Sequence, residues 1–285
     1  MKQATIAPPD PEAVQRDVER ALAEDIRGGD VTADLLNPDT TASARIVTRE
    51  AGVLAGQAWF DACFRALDPQ IAIAWNVRDG AHVAKNDVLC TLHGRARALV
   101  GAERCALNFL QTLSGTATVT AQYVAAVRGT RATILDTRKT LPGLRLAQKY
   151  AVRCGGGSNH RIGLFDAILI KENHIAAAGS LTVAVDAARQ LHPDLMLEVE
   201  VESFAELYEA LGAGVDRIML DEFSLDDIRR AVAEVKGRVP LEVSGGVRLQ
   251  DLRVLAGTGV DYISIGALTK HVRALDLSMR IVFDA

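Results

Sequence analysis

The sequence lacks any long apolar run and any sign of an export signal. No stretch approaches the roughly 20 consecutive apolar residues that a membrane-spanning helix requires, so we predict no membrane association. Residues 1–11 contain no basic segment followed by an apolar run, which a secretory signal would show. Both absences lead us to expect a cytoplasmic protein.

Cysteine is scarce, and positive charge is not in excess. The four cysteines (Cys63, Cys90, Cys105 and Cys154) are far apart and match no metal or redox spacing, so we expect buried, reduced thiols. The 32 Lys and Arg residues are outnumbered by 36 Asp and Glu, which leaves a net charge of −4. Nucleic acids and anionic membranes attract proteins with a basic field, so the net charge disfavours wholesale binding to either. Any anion site must be a local cluster of cations.

The remaining composition is that of a globular enzyme. Hydrophobic residues make up 49% of the 285 residues and charged residues 24%, enough for one large domain or a barrel with a smaller companion. Residues 1–40 form a helical lead-in, whose helix runs from Pro11 to Glu24 before Gly28 and Gly29 end it. Between residues 42 and 100 the pattern alternates as in strands.

After two predicted helices, at about 100–113 and 116–127, the chain alternates strand-like and helical segments. The strand-like runs are apolar and β-rich: Ala132–Leu135, Ala167–Ile170, Leu195–Val201, Arg217–Leu220, Leu241–Val243 and Tyr262–Ile265. Ser203 and Ser224 start two of the helices between them. Apolar strands alternating with helices indicate parallel strands covered by helices. The pattern favours a β/α barrel, complete or incomplete, and an open doubly wound sheet stays an alternative.

Polar residues and glycines follow these runs where each strand ends. They are Asp136 to Lys139, Lys171, Glu198 with Glu200, Asp221, Ser244 to Gly246, and Gly266 with Ala267. The carboxyl ends of barrel strands surround one mouth, so we expect the functional site there. The two glycine-rich ends suit a phosphate, because backbone N–H groups approach it closely. Two ordinary strand-to-helix turns are the alternative.

The acidic and cationic ends indicate a metal and a polyanion. Glu200 and Asp221 suit Mg²⁺, although they would equally hydrogen-bond ribose hydroxyls or pair with nearby lysines. Glu198 takes a structural role and pairs with Lys171 or Lys139. The cations cluster in one stretch of the chain: Arg138, Lys139, His160, Arg161 and Lys171. Guanidinium groups match carboxylates and lysine suits phosphate, so a multiply anionic ligand is expected, with a solvated face as the alternative for any one pair.

The run from Asp136 to His174 resembles the signature of the quinolinate phosphoribosyltransferase family, the carboxylating nicotinate-nucleotide pyrophosphorylases. Segments beginning at Glu103, Glu198, Met219, Leu241 and Ile263 share the resemblance, as does GDVTADLL near the start, so it spans almost the whole chain. The resemblance implies an N-terminal α/β sandwich domain, residues 1–115, joined by a C-terminal helix at 268–285. It also implies an incomplete, seven-stranded α/β barrel at 116–267.

The resemblance also implies the reaction. Phosphoribosyl passes from 5-phosphoribosyl 1-pyrophosphate to quinolinate with decarboxylation, giving nicotinate mononucleotide, pyrophosphate and CO₂. Mg²⁺ is the implied cofactor, and the implied assembly is a homodimer that shares its active site between subunits, with further assembly left open.

The family's functional residues map onto this chain by motif. Arg104, from the partner chain, contacts quinolinate, and four residues line the same pocket: Arg138, His160, Arg161 and Lys171. Lys139, Glu200 and Asp221 engage the pyrophosphate donor and its magnesium, and with Lys171 they form the catalytic set. The 5′-phosphate is surrounded by Ser244, Gly245, Gly246, Ser264, Gly266, Ala267 and His271. The sequence pattern alone would not have identified Arg104.

Two rival functions remain. One is a pyrophosphorylase of the same fold that acts on another acceptor, as in a paralogue associated with molybdenum transport. The other is a non-catalytic barrel that binds a phosphorylated metabolite and regulates a partner.

Overall fold

The computed structural model describes residues 6–284 of the chain. Residues 1–5 and Ala285, which the predicted first domain and C-terminal helix include, lie outside the described residues. The chain divides into two compact units. The first holds the chain up to Ala121, Thr140–Gly156 and the segment from Leu268 onward, and the second holds Gln122–Lys139 and Gly157–Ala267. The domain limits 1–115 and 116–267 stay a prediction.

The first unit contains an antiparallel sheet and several helices. The sheet has the strand order β12-β1-β5-β3. Its strands are β1 (Thr41–Thr48), β3 (Ala72–Trp75), β5 (Val88–Arg95) and β12 (Leu277–Phe283), and β2 (Gly52–Val53) pairs separately with β4 (His82–Val83). The helices are α1 (Pro11–Asp25), α2 (Gln57–Leu67), α3 (Ala96–Ala126) and α4 (Arg145–Cys154). The predicted lead-in helix is confirmed as α1, and the four cysteines are buried and free, as expected.

Helix α3 is one continuous helix where two had been predicted. Gly115, which lies in the gap between the two predicted helices, is inside α3 and does not interrupt it. A Cβ at this position would lie only 2.1 Å from the Arg273 carbonyl oxygen. Glycine is therefore required by the close approach of another backbone segment, and it does not mark a helix end.

The predicted C-terminal helix at 268–285 is wrong. The segment holds a four-residue helix, α10 (Ala267–Lys270), and then strand β12, which pairs antiparallel with β1 from Thr48↔Leu277 to Ala42↔Phe283. Leu277, Met279 and Ile281 recur at every second residue and pack in the core of this unit. That spacing places them on one face of a strand, whereas a helix would spread them around its surface.

The second unit is built on six parallel strands covered by helices. The strands are β6 (Thr133–Leu135), β7 (Ile168–Ile170), β8 (Leu197–Val201), β9 (Arg217–Leu220), β10 (Leu241–Val243) and β11 (Tyr262–Ser264). The helices that follow them are α5 (Glu172–Ala178), α6 (Leu181–Leu191), α7 (Phe204–Ala213), α8 (Leu225–Val235) and α9 (Leu252–Ala256). The hydroxyls of Ser203 and Ser224 accept backbone N–H groups at the starts of α7 and α8, which confirms both predicted helix starts.

The strand order is β6-β11-β10-β9-β8-β7. Consecutive strands from β7 to β11 lie side by side, and the first strand returns beside the last. A doubly wound sheet instead reverses its order at an internal switch point, which these six strands do not. Leu135 on β6 also forms a parallel bridge with Ser158, so a further extended segment lies at that edge.

Within residues 6–284, we find no helix that combines the length and apolar character needed to cross a bilayer. The cytoplasmic location stays a prediction.

Candidate active site

The carboxyl ends of the parallel strands hold the predicted site residues at one level. Val201 is paired with Leu220, Leu220 with Val243, and Ser264 with Leu135. Asp221, Ser244 and Asp136 each follow directly after one of these paired residues. Parallel pairing therefore places the residues after β6, β9, β10 and β11 along one edge, where barrel and other α/β enzymes bind ligands.

Lys171 and Glu200 form an ion pair at the ends of neighbouring strands β7 and β8. The Lys171 ammonium contacts Glu200 Oε2; the lysine is part-exposed and the glutamate is buried. Lys171 precedes α5, and the ring Nδ1 of His174 accepts its backbone N–H at 3.0 Å. The local turn thus orients Lys171 toward β8. Of the alternatives given for Glu200 above, the structure shows the pairing with a nearby lysine.

The loop after β10 approaches Asp221 closely. Gly245 and Gly246 have φ of +87° and +51°, a left-handed backbone that residues with a Cβ rarely adopt. A Cβ on Gly245 would lie 3.0 Å from Asp221 Oδ1. The backbone conformation therefore requires glycine at both positions. The backbone of Gly245 carries no side chain and lies directly beside the Asp221 carboxylate.

The ends of the first and last strands, β6 and β11, are also in contact. A Cβ on Gly266 would lie 2.9 Å from Lys139 Cδ. The Lys139 backbone N–H in turn donates to the Thr137 hydroxyl at 3.1 Å. Lys139 thus lies against the second glycine-rich end, as a phosphate-binding lysine would.

Acidic side chains accumulate around Glu200 and Asp221. Partial desolvation raises the pKa of the nearby Glu202, and repulsion from Glu206, Asp221 and Glu172 raises it further. A divalent cation would relieve this surplus of negative charge. Two carboxylates on adjacent strands match the donor set that Mg²⁺ takes before completing its shell with waters and phosphate. The residues present fit the predicted ion.

The positive charges of two predicted site residues, Arg138 and Arg161, act on each other. Burial lowers the pKa of Arg161, and the neighbouring positive charge of Arg138 lowers it further. The Arg161 guanidinium donates to the Ala167 carbonyl oxygen at 3.5 Å. Two guanidinium groups whose charges repel each other are stabilised when an anion binds to both.

The segment that carries His160 and Arg161 is held by the fully buried Asp136. Its carboxylate accepts the Asn159 side-chain amide at 2.6 Å and the His160 backbone N–H at 2.9 Å. The Arg161 backbone N–H donates to His160 Nδ1 at 2.8 Å.

Below the strand ends lies a buried ionic cluster that the sequence reasoning described incorrectly. His160 Nε2 lies 2.9 Å from Glu198 and 3.5 Å from Glu242, and Arg217 Nη1 lies 3.0 Å from Glu242 and 4.0 Å from Glu198. Glu198 therefore pairs with His160 and Arg217, and the predicted pairing with Lys171 or Lys139 is wrong. Lys139 and Lys171 follow the carboxyl ends of their strands, whereas Glu198 lies deeper along β8.

Glu242 was missed at the sequence level. It is 0% exposed in the middle of the short strand β10. Burial, followed by repulsion from Glu198, raises its pKa to about 7, against the opposing effects of His160, Ser264 and Arg217. A glutamate inside the apolar run Leu241–Val243 was the available signal, because a buried carboxylate requires a partner.

Three further predicted residues are placed within one or the other unit. Ser264 lies buried on β11 beside Glu242. Arg104 and His271 belong to the first unit, where Arg104, on α3, lines a cavity of about 270 Å³ together with Arg20 and Asn108. Their substrate contacts stay predictions, as do those of Ala267.

Comparison with known proteins gives consistent matches over both units. The family model "Quinolinate phosphoribosyl transferase, N-terminal domain" matches residues 30–114, and "Quinolinate phosphoribosyl transferase, C-terminal domain" matches residues 116–280.

Two curated relatives cover nearly the whole chain. The nicotinate-nucleotide pyrophosphorylase (carboxylating) of Mycobacterium leprae is 45% identical over 278 residues, which is 94% of this chain and 97% of that protein. The probable nicotinate-nucleotide pyrophosphorylase (carboxylating) of Bacillus subtilis is 43% identical over 262 residues, 92% of this chain and 91% of that protein. The solved nicotinate-nucleotide pyrophosphorylase of Francisella tularensis is 47% identical, with a TM-score of 0.95 over 98% of this chain and 99% of that one.

Proposed function

This chain belongs to the quinolinate phosphoribosyl transferase family, and from that premise we propose that it joins quinolinate to a phosphoribosyl group at the strand ends of its second unit. The donor is 5-phosphoribosyl 1-pyrophosphate, and the products are nicotinate mononucleotide, pyrophosphate and CO₂. The observation that carries the site assignment is the set of cations at those ends, above all Lys171 in contact with the buried Glu200 and Lys139 against Gly266.

Quinolinate is a dianion, and the arginines bind it. Arg138 and Arg161 present guanidinium forks, which match the two oxygens of a carboxylate. His160 and Lys171 complete the pocket. Binding here turns the pyridine nitrogen toward the sugar, so the arginines act chiefly by orientation.

The donor's phosphates bind at the glycine-rich ends. Gly245, Gly246 and Gly266 offer backbone without side chains, and Ser244 adds a hydroxyl. Lys139 lies against Gly266 and takes the pyrophosphate. Ser264, Ala267 and His271 complete the proposed surroundings of the 5′-phosphate.

Glu200 and Asp221 are the residues that would hold Mg²⁺. When bound, the ion supplies positive charge for the pyrophosphate oxygens and lowers the energy of their developing negative charge. Lys171, already paired with Glu200, keeps that carboxylate in place.

The chemistry follows from these placements. The pyridine nitrogen bonds to the anomeric carbon as the bond to pyrophosphate breaks, and Lys139 stabilises the charge on the departing group. The ring nitrogen is then quaternary and positive, so the electron pair left when the adjacent carboxylate departs as CO₂ is stabilised by the ring, which then takes up a proton.

The proposal extends to architecture and assembly. The second unit is an incomplete, seven-stranded β/α barrel, supported by the return of β6 beside β11 and the bridge from Leu135 to Ser158. The protein is a homodimer in which Arg104 of the partner subunit contacts quinolinate. Mixing two inactive variants, Arg104→Ala and Lys139→Ala, would regain activity only if subunits exchange and the site is shared.

The test of function uses the purified protein with 5-phosphoribosyl 1-pyrophosphate, Mg²⁺ and either quinolinate or nicotinate. We expect CO₂ and nicotinate mononucleotide in equal amounts from quinolinate, and little reaction with nicotinate, which has only one carboxylate. Equal use of both acceptors would favour the rival pyrophosphorylase. Ligand binding without pyrophosphate release would favour the regulatory barrel.

A further inference from the structure

Helix α5 begins differently from the three helices that follow it. In α6, α7 and α8 the residue before the helix is a serine, Ser180, Ser203 or Ser224, whose hydroxyl accepts a backbone N–H group three residues later. Serine is common at this N-cap position, because its oxygen satisfies an N–H group that has no partner inside the helix. In α5 the same position is occupied by Lys171.

A lysine cannot cap a helix start in this way. Its ammonium group is a hydrogen-bond donor only, so it accepts no backbone N–H group. The Lys171 ammonium instead contacts Glu200 at the end of β8. The N-cap position of α5 therefore holds a residue of the proposed active site, and the helix start needs its acceptor from another side chain.

The ring of His174 supplies an acceptor at this helix start. Its Nδ1 accepts the Lys171 backbone N–H at 3.0 Å, and the His174 backbone N–H donates to the Lys171 carbonyl oxygen at 2.8 Å. The two residues are thus hydrogen-bonded to one another in both directions. A side chain in the third helical position that bonds back to the N-cap N–H is one half of a capping box, where the residue is ordinarily Glu or Gln.

Helix α5 depends on such local bonds because packing contributes little to it. The helix has seven residues, and none of them is buried. Helices of this length are marginal in water, and most helices in proteins are held by an apolar face packed against a core. The hydrogen bonds at its start therefore have a large part in fixing the Lys171 backbone.

The charge of the side chain at this position also matters. Glu172 lies in the first turn of α5, and the negative charges of Glu172 and Glu200 both act on Glu202. A glutamate in place of His174 would add to this negative charge and compete with Glu200 for the Lys171 ammonium. An imidazole accepts through Nδ1 while its proton is on Nε2, so it provides the same acceptor without a charge.

We propose that His174 is a positioning residue for Lys171. Its neutral ring holds the Lys171 backbone, so that the ammonium is directed toward Glu200 and the quinolinate pocket. The ring takes no part in the chemistry and acts only through Lys171. The inference rests on the proposed function for its effect on quinolinate, whereas the hydrogen bond between the two residues is measurable without turnover.

The direct test measures hydrogen exchange of the Lys171 backbone amide by nuclear magnetic resonance on the whole protein. Labelling with ¹⁵N-lysine restricts the signals to lysines, and the signal lost in Lys171→Arg identifies the amide in question. We expect it to exchange on the order of 10-fold more slowly in the parent than in His174→Ala. Equal rates in the two proteins would overturn the proposal. The measurement needs no activity, so failure of the proposed function would be recognised separately.

Kinetics then test the effect on the pocket. His174→Ala should raise KM for quinolinate about fivefold with kcat within about twofold of the parent, as for the loss of one helix cap that supports a binding residue. His174→Gln should restore the parent KM, because its side-chain oxygen is a neutral acceptor for the same N–H. His174→Glu should be as stable as the Gln variant but raise KM as the Ala variant does, because its charge competes with Glu200 for Lys171.

Ser180→Ala is the matched control for helix stability. It removes the hydroxyl that accepts the Val183 backbone N–H at 3.2 Å, which is a comparable cap at the start of α6. We expect its melting temperature to fall as in His174→Ala and its kinetics to stay unchanged. If Ser180→Ala raises KM for quinolinate as much as His174→Ala, or if the Gln variant is as impaired as the Ala variant, the positioning role is wrong. An unchanged KM in a folded His174→Ala would contradict it equally.

Discussion

Replacement of Gly245 by alanine tests the contact between the phosphate loop and Asp221. The backbone there has φ of +87°, and the added methyl would lie 3.0 Å from Asp221 Oδ1. An L-residue in the left-handed region costs roughly 1–2 kcal/mol, which should lower the melting temperature by a few degrees in a chain of this size. The contact is shorter than ordinary van der Waals separation, so the carboxylate must also move by a few tenths of an ångström.

That movement should appear in catalysis. A misplacement of about 1 Å in a catalytic constellation lowers the rate on the order of 100-fold, so we expect kcat/KM for the pyrophosphate donor to fall on the order of 10-fold. The assay is steady-state release of pyrophosphate at varied donor concentration and saturating quinolinate.

Gly214 provides the control. Its φ is +72°, and a Cβ there would meet no atom within 4 Å. Gly214→Ala should therefore lose similar stability while keeping its kinetics. If kcat/KM for the pyrophosphate donor falls to the same extent in both variants, backbone strain accounts for the effect. The contact between Gly245 and Asp221 then plays no part in catalysis.

Three further predictions follow from other parts of the structure. Lys139→Ala should lower kcat on the order of 100-fold with a small change in quinolinate KM, whereas Arg161→Ala should chiefly raise quinolinate KM; equal effects on both constants would contradict the division of roles. The pKa of Glu242 is raised to about 7 in the folded state, so its proton stabilises the fold at low pH and this contribution is lost as pH rises toward 7. The unfolding free energy of the parent relative to Glu242→Gln should thus fall on the order of 2 kcal/mol from pH 5 to pH 8 in urea titrations, and a pH-independent difference would refute the shift. Gly115→Ala should unfold or strongly destabilise the first unit, because its methyl would lie 2.1 Å from the Arg273 carbonyl oxygen; a melting temperature within a few degrees of the parent would show that the backbone yields.

The repeating part of the fold could be predicted from local pattern. Each β-rich run between residues 132 and 265 became a strand, because an apolar run between helical segments indicates a buried parallel strand. The polar residues after each run marked the edge of the sheet where we propose that the site lies. Ser203 and Ser224 predicted their helices through a backbone–side-chain contact that is local in sequence.

The errors in predicted secondary structure arose where contacts between residues distant in sequence determine the local conformation. The strand at Leu277–Phe283 pairs with β1, more than 200 residues earlier, whereas the family resemblance had led us to expect a helix there. The two helices predicted around Gly115 are one, and the sequence pattern could not show why glycine stands there, because its neighbour in space, Arg273, is distant in sequence.

The buried ionic cluster of His160, Glu198, Arg217 and Glu242 shows the same limit. The sequence reveals that Glu198 and Glu242 are charged residues within apolar strands, which is costly without partners. It does not reveal that His160 and Arg217 are those partners. His160 lies in the segment between α4 and β7, and Arg217 lies on β9, so only the folded chain brings them to the glutamates. The chemical types at a site can thus be predicted while their pairing cannot.

The central claim is that the cations at the strand ends bind the diacid, and the most direct measurement is a crystal structure of the protein with quinolinate. We expect its carboxylates within hydrogen-bonding distance of the Arg138 and Arg161 guanidinium groups, with the ring nitrogen facing the loop at Gly245 and Gly246. Quinolinate bound elsewhere, with both guanidinium groups left in solvent, would contradict the account.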